Sequence, residues 1–132
     1  MGELASYYVL MGILRWCPDD NIPADTQAIQ KALFKLSNWN PEILDESLFD
    51  QEGFSQKLED ELESIMMNES IGILGDKLET LQITDEFKQK YDLSISGIFS
   101  KLESTRIMKM GADLPKLLKK NESVRYKRLI TQ

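Results

Sequence analysis

With 132 residues, 42% of them hydrophobic and 29% charged, the chain is long enough for one domain to bury a core without disulfides or metal. A single cysteine excludes an internal disulfide, and the lack of histidine removes the commonest general base and metal ligand, hence most zinc sites and Ser-His or Cys-His nucleophile pairs. The net charge of −6 conceals an asymmetry: residues 1–100 hold 7 basic and 19 acidic side chains, whereas residues 101–132 hold 9 and 3.

Glu3 to Trp16 reads as a helix that is apolar on nearly every side, through Leu4, Tyr7, Tyr8, Leu10, Met11, Ile13, Leu14 and Trp16. Such a helix is central to a core or completes one in an oligomer. Glu3 stands where a secretory segment would be basic, and no apolar run approaches the roughly 18 residues of a membrane span, so a cytoplasmic chain off the membrane is expected. Cys17-Pro18-Asp19-Asp20-Asn21 ends the helix, and Cys17 reads as a buried structural thiol. A second helix runs from about Asp25 to Ser37, with Ile29, Ala32, Leu33 and Leu36 on one stripe and Asp25 or Thr26 as cap. Asn40-Pro41-Glu42 predicts a third, carrying Ile43, Leu44, Leu48 and Phe49, with a break at Asp50-Gln51-Glu52-Gly53.

Ser55 caps a fourth helix, Ser55 to Ser70, whose buried stripe is Leu58, Leu62, Ile65 and Met66. The period then changes. Ile71 to Leu74 and Leu78 to Ile83 are short β-like runs about Gly75-Asp76, a pair suited to a hairpin turn. Thr84 caps the next helix, with Phe87 and Tyr91 facing inward. Ile95, Ile98, Phe99 and Leu102 predict a helix from about Ser96 to Met108, closed by Gly111. A short helix, Leu114 to Lys120, and a tail or docked strand, Val124 to Gln132, complete the chain.

The order of these elements resembles a winged-helix domain over residues 3–91. Gln30-Lys31-Ala32-Leu33-Phe34 and Phe54-Ser55-Gln56-Lys57-Leu58-Glu59 are similar to stretches of small prokaryotic winged-helix-like proteins, Panacea-type antitoxin domains among them. Ile83-Thr84-Asp85-Glu86-Phe87 resembles the junction that follows the wing in such regulators. The resemblance implies that Ser55–Asn68 would enter a DNA groove and that Gly75-Asp76-Lys77 would form the wing tip. The groove helix so implied departs from that role: Lys57 is its one cation against Glu59, Asp60, Glu61, Glu63 and Glu69, where phosphate binding needs Lys and Arg.

The fold expected is therefore mainly α: a single domain, 1–132, with a winged-helix-like unit at 1–91, one short two-stranded hairpin and extra C-terminal helices in a basic extension at 92–132. Gly72 to Lys77 lacks the spacing of a phosphate loop, and Asp50 to Gly53 lacks the ligands of a calcium loop, so no catalytic, cofactor or metal residue is assigned. The role expected is a non-catalytic protein–protein interaction or regulatory module, self-associating as a homodimer or meeting a protein partner. Glu59, Asp60 and Glu63 are its candidate partner-binding acids. The candidate basic contacts are Lys116, Lys119, Lys120, Arg125, Lys127 and Arg128, lying over the acidic body of the same chain or of a symmetry mate, or simply solvated. The alternative is a DNA-binding regulator or antitoxin using those basic residues, with Tyr126 available to stack on a base.

Overall fold

A computed structural model describes the backbone of residues 5–19, 21–67, 73–76 and 80–130, and the side chains of 5–19, 21–67 and 81–118. The elements are α1 (Ser6–Arg15), β1 (Asn21–Pro23), α2 (Thr26–Trp39), α3 (Gln56–Met67), β2 (Ile73–Asp76), β3 (Thr80–Ile83), α4 (Asp85–Ser94) and α5 (Lys101–Ile130), with single 3-10 turns at Glu46–Leu48 and Ser96–Ile98. The chain is mainly α, as its periodicity predicts. The hairpin β2–β3 is widened by β1, giving one antiparallel sheet of order β1-β3-β2.

α1 is the hub. Val9 through Leu14 are buried without interruption, and α1 packs against α3, α4 and α5. Most of its apolar side chains are thus covered within one chain, with Tyr8 left exposed. α1 and α2 each pack on both α3 and α5, which sets α3 and α5 at opposite corners of the helix cluster. That placement decides where the charged faces point.

Local chemistry starts the helices where the sequence signals it. The Asp25 carboxylate accepts from the N–H groups of Gln27 and Ala28, the Ser55 hydroxyl from Leu58, and the Thr84 hydroxyl from Phe87. Each satisfies a first-turn donor that the helix itself leaves unpaired. Thr84→Ala is expected to cost about 1 kcal/mol. A fall in the urea midpoint at unchanged slope would register it, and an unmoved midpoint would mean that the cap contributes nothing.

Three local expectations are corrected. The helix predicted from Asn40 to Phe49 does not form: residues 41–44 make one turn on the Asn40 carbonyl, Asp45 turns extended (φ −71°, ψ 135°), and its carboxylate caps the N–H of Ser47. Asp competes with the helix by bonding nearby backbone, so the segment restarts as a 3-10 turn; Ile43, Leu44 and Phe49 still reach the core. The reversal of the hairpin lies later than predicted. Gly75 and Asp76 belong to β2, paired with Leu81 and Thr80, so the turn falls within 77–79, outside the described residues together with the proposed wing-tip Lys77.

β1 is an addition. Asn21, Ile22 and Pro23 pair with Gln82, Leu81 and Thr80. Only Ile22 is buried, and Pro23 is tolerated because the strand lies at an edge. The third correction concerns Gly111, which does not close a helix. α5 continues from Lys101 to Ile130 through Gly111 and Pro115, replacing the two helices and tail expected there. It starts at a reciprocal cap: the Ser100 hydroxyl accepts from Glu103 N–H and the Glu103 carboxylate from Ser100 N–H. Because that cap sits after Phe99, Ile98 and Leu102 remain exposed, whereas Ile95 and Phe99 are buried.

Ile107, Met110, Leu114 and Leu118 of α5 lie in the same core cluster as residues of α1, α2 and α3, so residues 95–118 pack on the rest of the chain. Among the described residues no helix is long and apolar enough to cross a membrane.

Candidate interaction surface

α3 buries Leu58, Leu62 and Ile65, so at 100° per residue the opposite face carries Gln56, Asp60, Glu63 and Met67. All four are exposed, Met67 to 83%. The three candidate acids consequently divide. Asp60 and Glu63 face outward, Asp60 accepting a hydrogen bond from Gln56 Nε2 at 2.9 Å. Glu59 is half-buried and lies 3.3 Å from Gln30 Nε2.

Two tertiary ties hold this face in place, and neither could be read from local sequence. Gln30, 2% exposed, donates from Nε2 to the Ser55 carbonyl at 2.8 Å and accepts from the Ser55 N–H at 3.2 Å. Its amide therefore reads the Ser55 backbone as a neighbouring strand would, fixing the entry of α3 onto α2. At the other flank, the buried Ser6 hydroxyl donates to the Glu61 carboxylate. Ala5 offers α1 no side-chain cap, so an acid carried by α3 sits at the positive end of α1 instead. The tied residues are 25 and 55 positions apart in the chain, which leaves no local pattern.

Among the described residues, no ion pair involves an acid of α3. The pairs formed are Arg15–Asp92, Lys90–Glu86, Arg106–Glu42 and the weak contacts of Asp113 with Lys109 and Lys116 at 3.7 and 3.9 Å. Lys57, one turn from Glu61, is exposed on the flank of α3.

α5 presents the opposite charge. Its buried stripe, Ile107, Met110, Leu114 and Leu118, leaves Lys109 and Lys116 on the outer face, with side chains 76% and 79% exposed. Of the six candidate basic residues, only Lys116 has a described side chain. Lys119, Lys120, Arg125, Lys127 and Arg128 lie on the helical backbone of α5, and their contacts fall outside the described residues. By helical register, positions 120 and 127 continue the face of 109 and 116, whereas 125 continues the buried stripe.

A second cluster is structural. Arg15 forms a two-point pair with Asp92 at 2.9 and 3.0 Å and lies 4.3 Å over the Trp16 ring. Burial, then the Asp92 charge, push the Tyr91 hydroxyl above its ordinary range. Cys17 is buried, its Sγ donating to the Ile13 carbonyl at 3.4 Å; burial, then the Asp19 charge, push the thiol up to about 12. A disulfide reagent at pH 8 should therefore react with the native chain roughly a thousandfold more slowly than with the urea-unfolded chain. Equal rates would show Cys17 exposed and ionisable. Because the folded value is raised, the stability this thiol contributes is complete below pH 8–9 and declines as pH climbs toward 12.

No protein-family model, curated protein or solved structure matches the chain.

Proposed function

We propose that the chain is a non-catalytic interaction or regulatory module on a winged-helix-like scaffold, in which the helix that would read DNA is turned to protein instead. The scaffold reading is supported by the order α1-β1-α2-α3-β2-β3 and by the sheet order β1-β3-β2. Fold alone carries no activity, so the role is argued from the surface. The observation that carries it is the outward face of α3: Asp60 and Glu63 stand where a groove-reading helix would place phosphate-neutralising cations. Residues 40–55, which join α2 to α3, also form a far longer connection than the three- or four-residue turn of a DNA-reading helix pair.

The second reading, a DNA-binding regulator or antitoxin, is favoured by one observation, the exposed lysines of α5. Fluorescence anisotropy of a mixed-sequence duplex at low salt separates the two. The interaction module leaves the signal flat at micromolar protein. Uptake that falls steeply with added salt would overturn it in favour of DNA binding through α5.

A further inference from the structure

The proposed self-association has a geometric consequence that rests on the interaction-module reading. α3 and α5 occupy opposite corners of the helix cluster, separated by α1 and α2, and each turns its charged face outward. The acids of α3 and the lysines of α5 thus point away from each other within one chain. The two faces are complementary in charge, and the ion pairs of Lys109 and Lys116 are with Asp113 of α5 itself, not with the acids of α3.

We infer that two copies of this chain associate with the outward face of α3 in one against the outward face of α5 in the other. Because the two faces lie on opposite corners, the contact is heterologous and repeats head to tail from copy to copy. Asp60 and Glu63 of one copy oppose Lys109 and Lys116 of the next. The acids stand three positions apart and the lysines seven, about 4.5 and 10.5 Å along their helices, so each set lies along one side of its helix and the long lysine stems span the difference. Asp113 lies between the two lysines and holds both loosely, at 3.7 and 3.9 Å, in contacts that a stronger partner can replace. Exposed charges of this kind set specificity, encounter rate and salt dependence more than depth of affinity.

Charge reversal on the full chain tests the pairing. Asp60→Lys with Glu63→Lys gives a copy basic on both faces; Lys109→Glu with Lys116→Glu gives one acidic on α3 and less basic on α5. All four positions are exposed, and circular dichroism melts verify that each variant folds. Each variant alone should associate at least about tenfold more weakly than the wild type in sedimentation at low salt. An equimolar mixture should recover association, because every α3–α5 contact between unlike variants again joins opposite charges. Wild-type association in either variant, or a mixture that stays monomeric, overturns the pairing while leaving self-association through another surface standing. A wild-type chain that is monomeric at every concentration removes both.

Discussion

Replacing Gly111 with alanine lowers stability by about 3 kcal/mol, although the same change in an open helix would raise it by roughly 1 kcal/mol. The opposite signs make the substitution decisive. A Cβ at position 111 would lie 2.7 Å from the Ile13 carbonyl oxygen, 2.7 Å from Trp16 Cβ and 2.9 Å from the Trp16 carbonyl carbon. Two of those atoms belong to the backbone at the end of α1, so relief requires moving one helix relative to the other. Gly12 makes the contrast: a Cβ there meets Ile107 Cγ2 and the Tyr91 hydroxyl at 2.7 Å, side-chain atoms that can yield without moving a helix backbone, and the cost is smaller. At Gly97, with nothing within 4 Å, alanine should change little. Urea titration of the three variants measures the order. A stabilised Gly111→Ala chain would show that α1 and α5 do not approach as described.

Gln30→Leu has the next largest effect, about 3 kcal/mol. The side chain that remains is apolar and of similar length, so packing survives. What is lost is the two-way pairing with Ser55: the buried Ser55 N–H is left without a partner, while the carbonyl keeps the Glu59 N–H at 3.0 Å. Ser55→Ala removes only the cap hydroxyl and should cost about 1 kcal/mol. If both substitutions cost the same, the cap is the whole of the local stabilisation. Because Gln30 also fixes where α3 leaves the 50–55 loop, its loss should raise amide exchange at the start of α3 before other core helices respond.

Much of this architecture is legible from the chain alone, for identifiable reasons. α1, α2, α3 and α4 follow apolar stripes of helical period, and Asp25, Ser55 and Thr84 mark their starts with side chains that bond the first turn. β1 is not legible, because three residues with one buried side chain carry no period. Gly75-Asp76 misleads since a pair suited to a turn is equally compatible with a strand whose partner pairs in register. Gly111 and Pro115 suggest two helices, yet glycine is required there by the close approach of α1, and continuous burial of Ile107 to Leu118 holds the helix across the missing proline donor.

The surface is legible in composition but not in arrangement. The acids of residues 55–70 and the basic residues beyond 100 are plain in the sequence, and intramolecular neutralisation is then the natural expectation. The separation of α3 from α5 by α1 and α2 argues against that pairing for Asp60, Glu63, Lys109 and Lys116. Likewise, nothing local distinguishes Glu59, tied to Gln30, or Glu61, tied to Ser6, from the two acids that face solvent. Those ties also restrict the free charge of α3 to a narrow ridge, which a partner must match in register.

Sedimentation velocity of the unmodified chain across a salt series tests the central claim most directly. Species of twice the 15.2 kDa chain mass and larger are expected at low salt, dissociating as salt rises and the exposed charges are screened. A single 15.2 kDa species at every salt and protein concentration would contradict it.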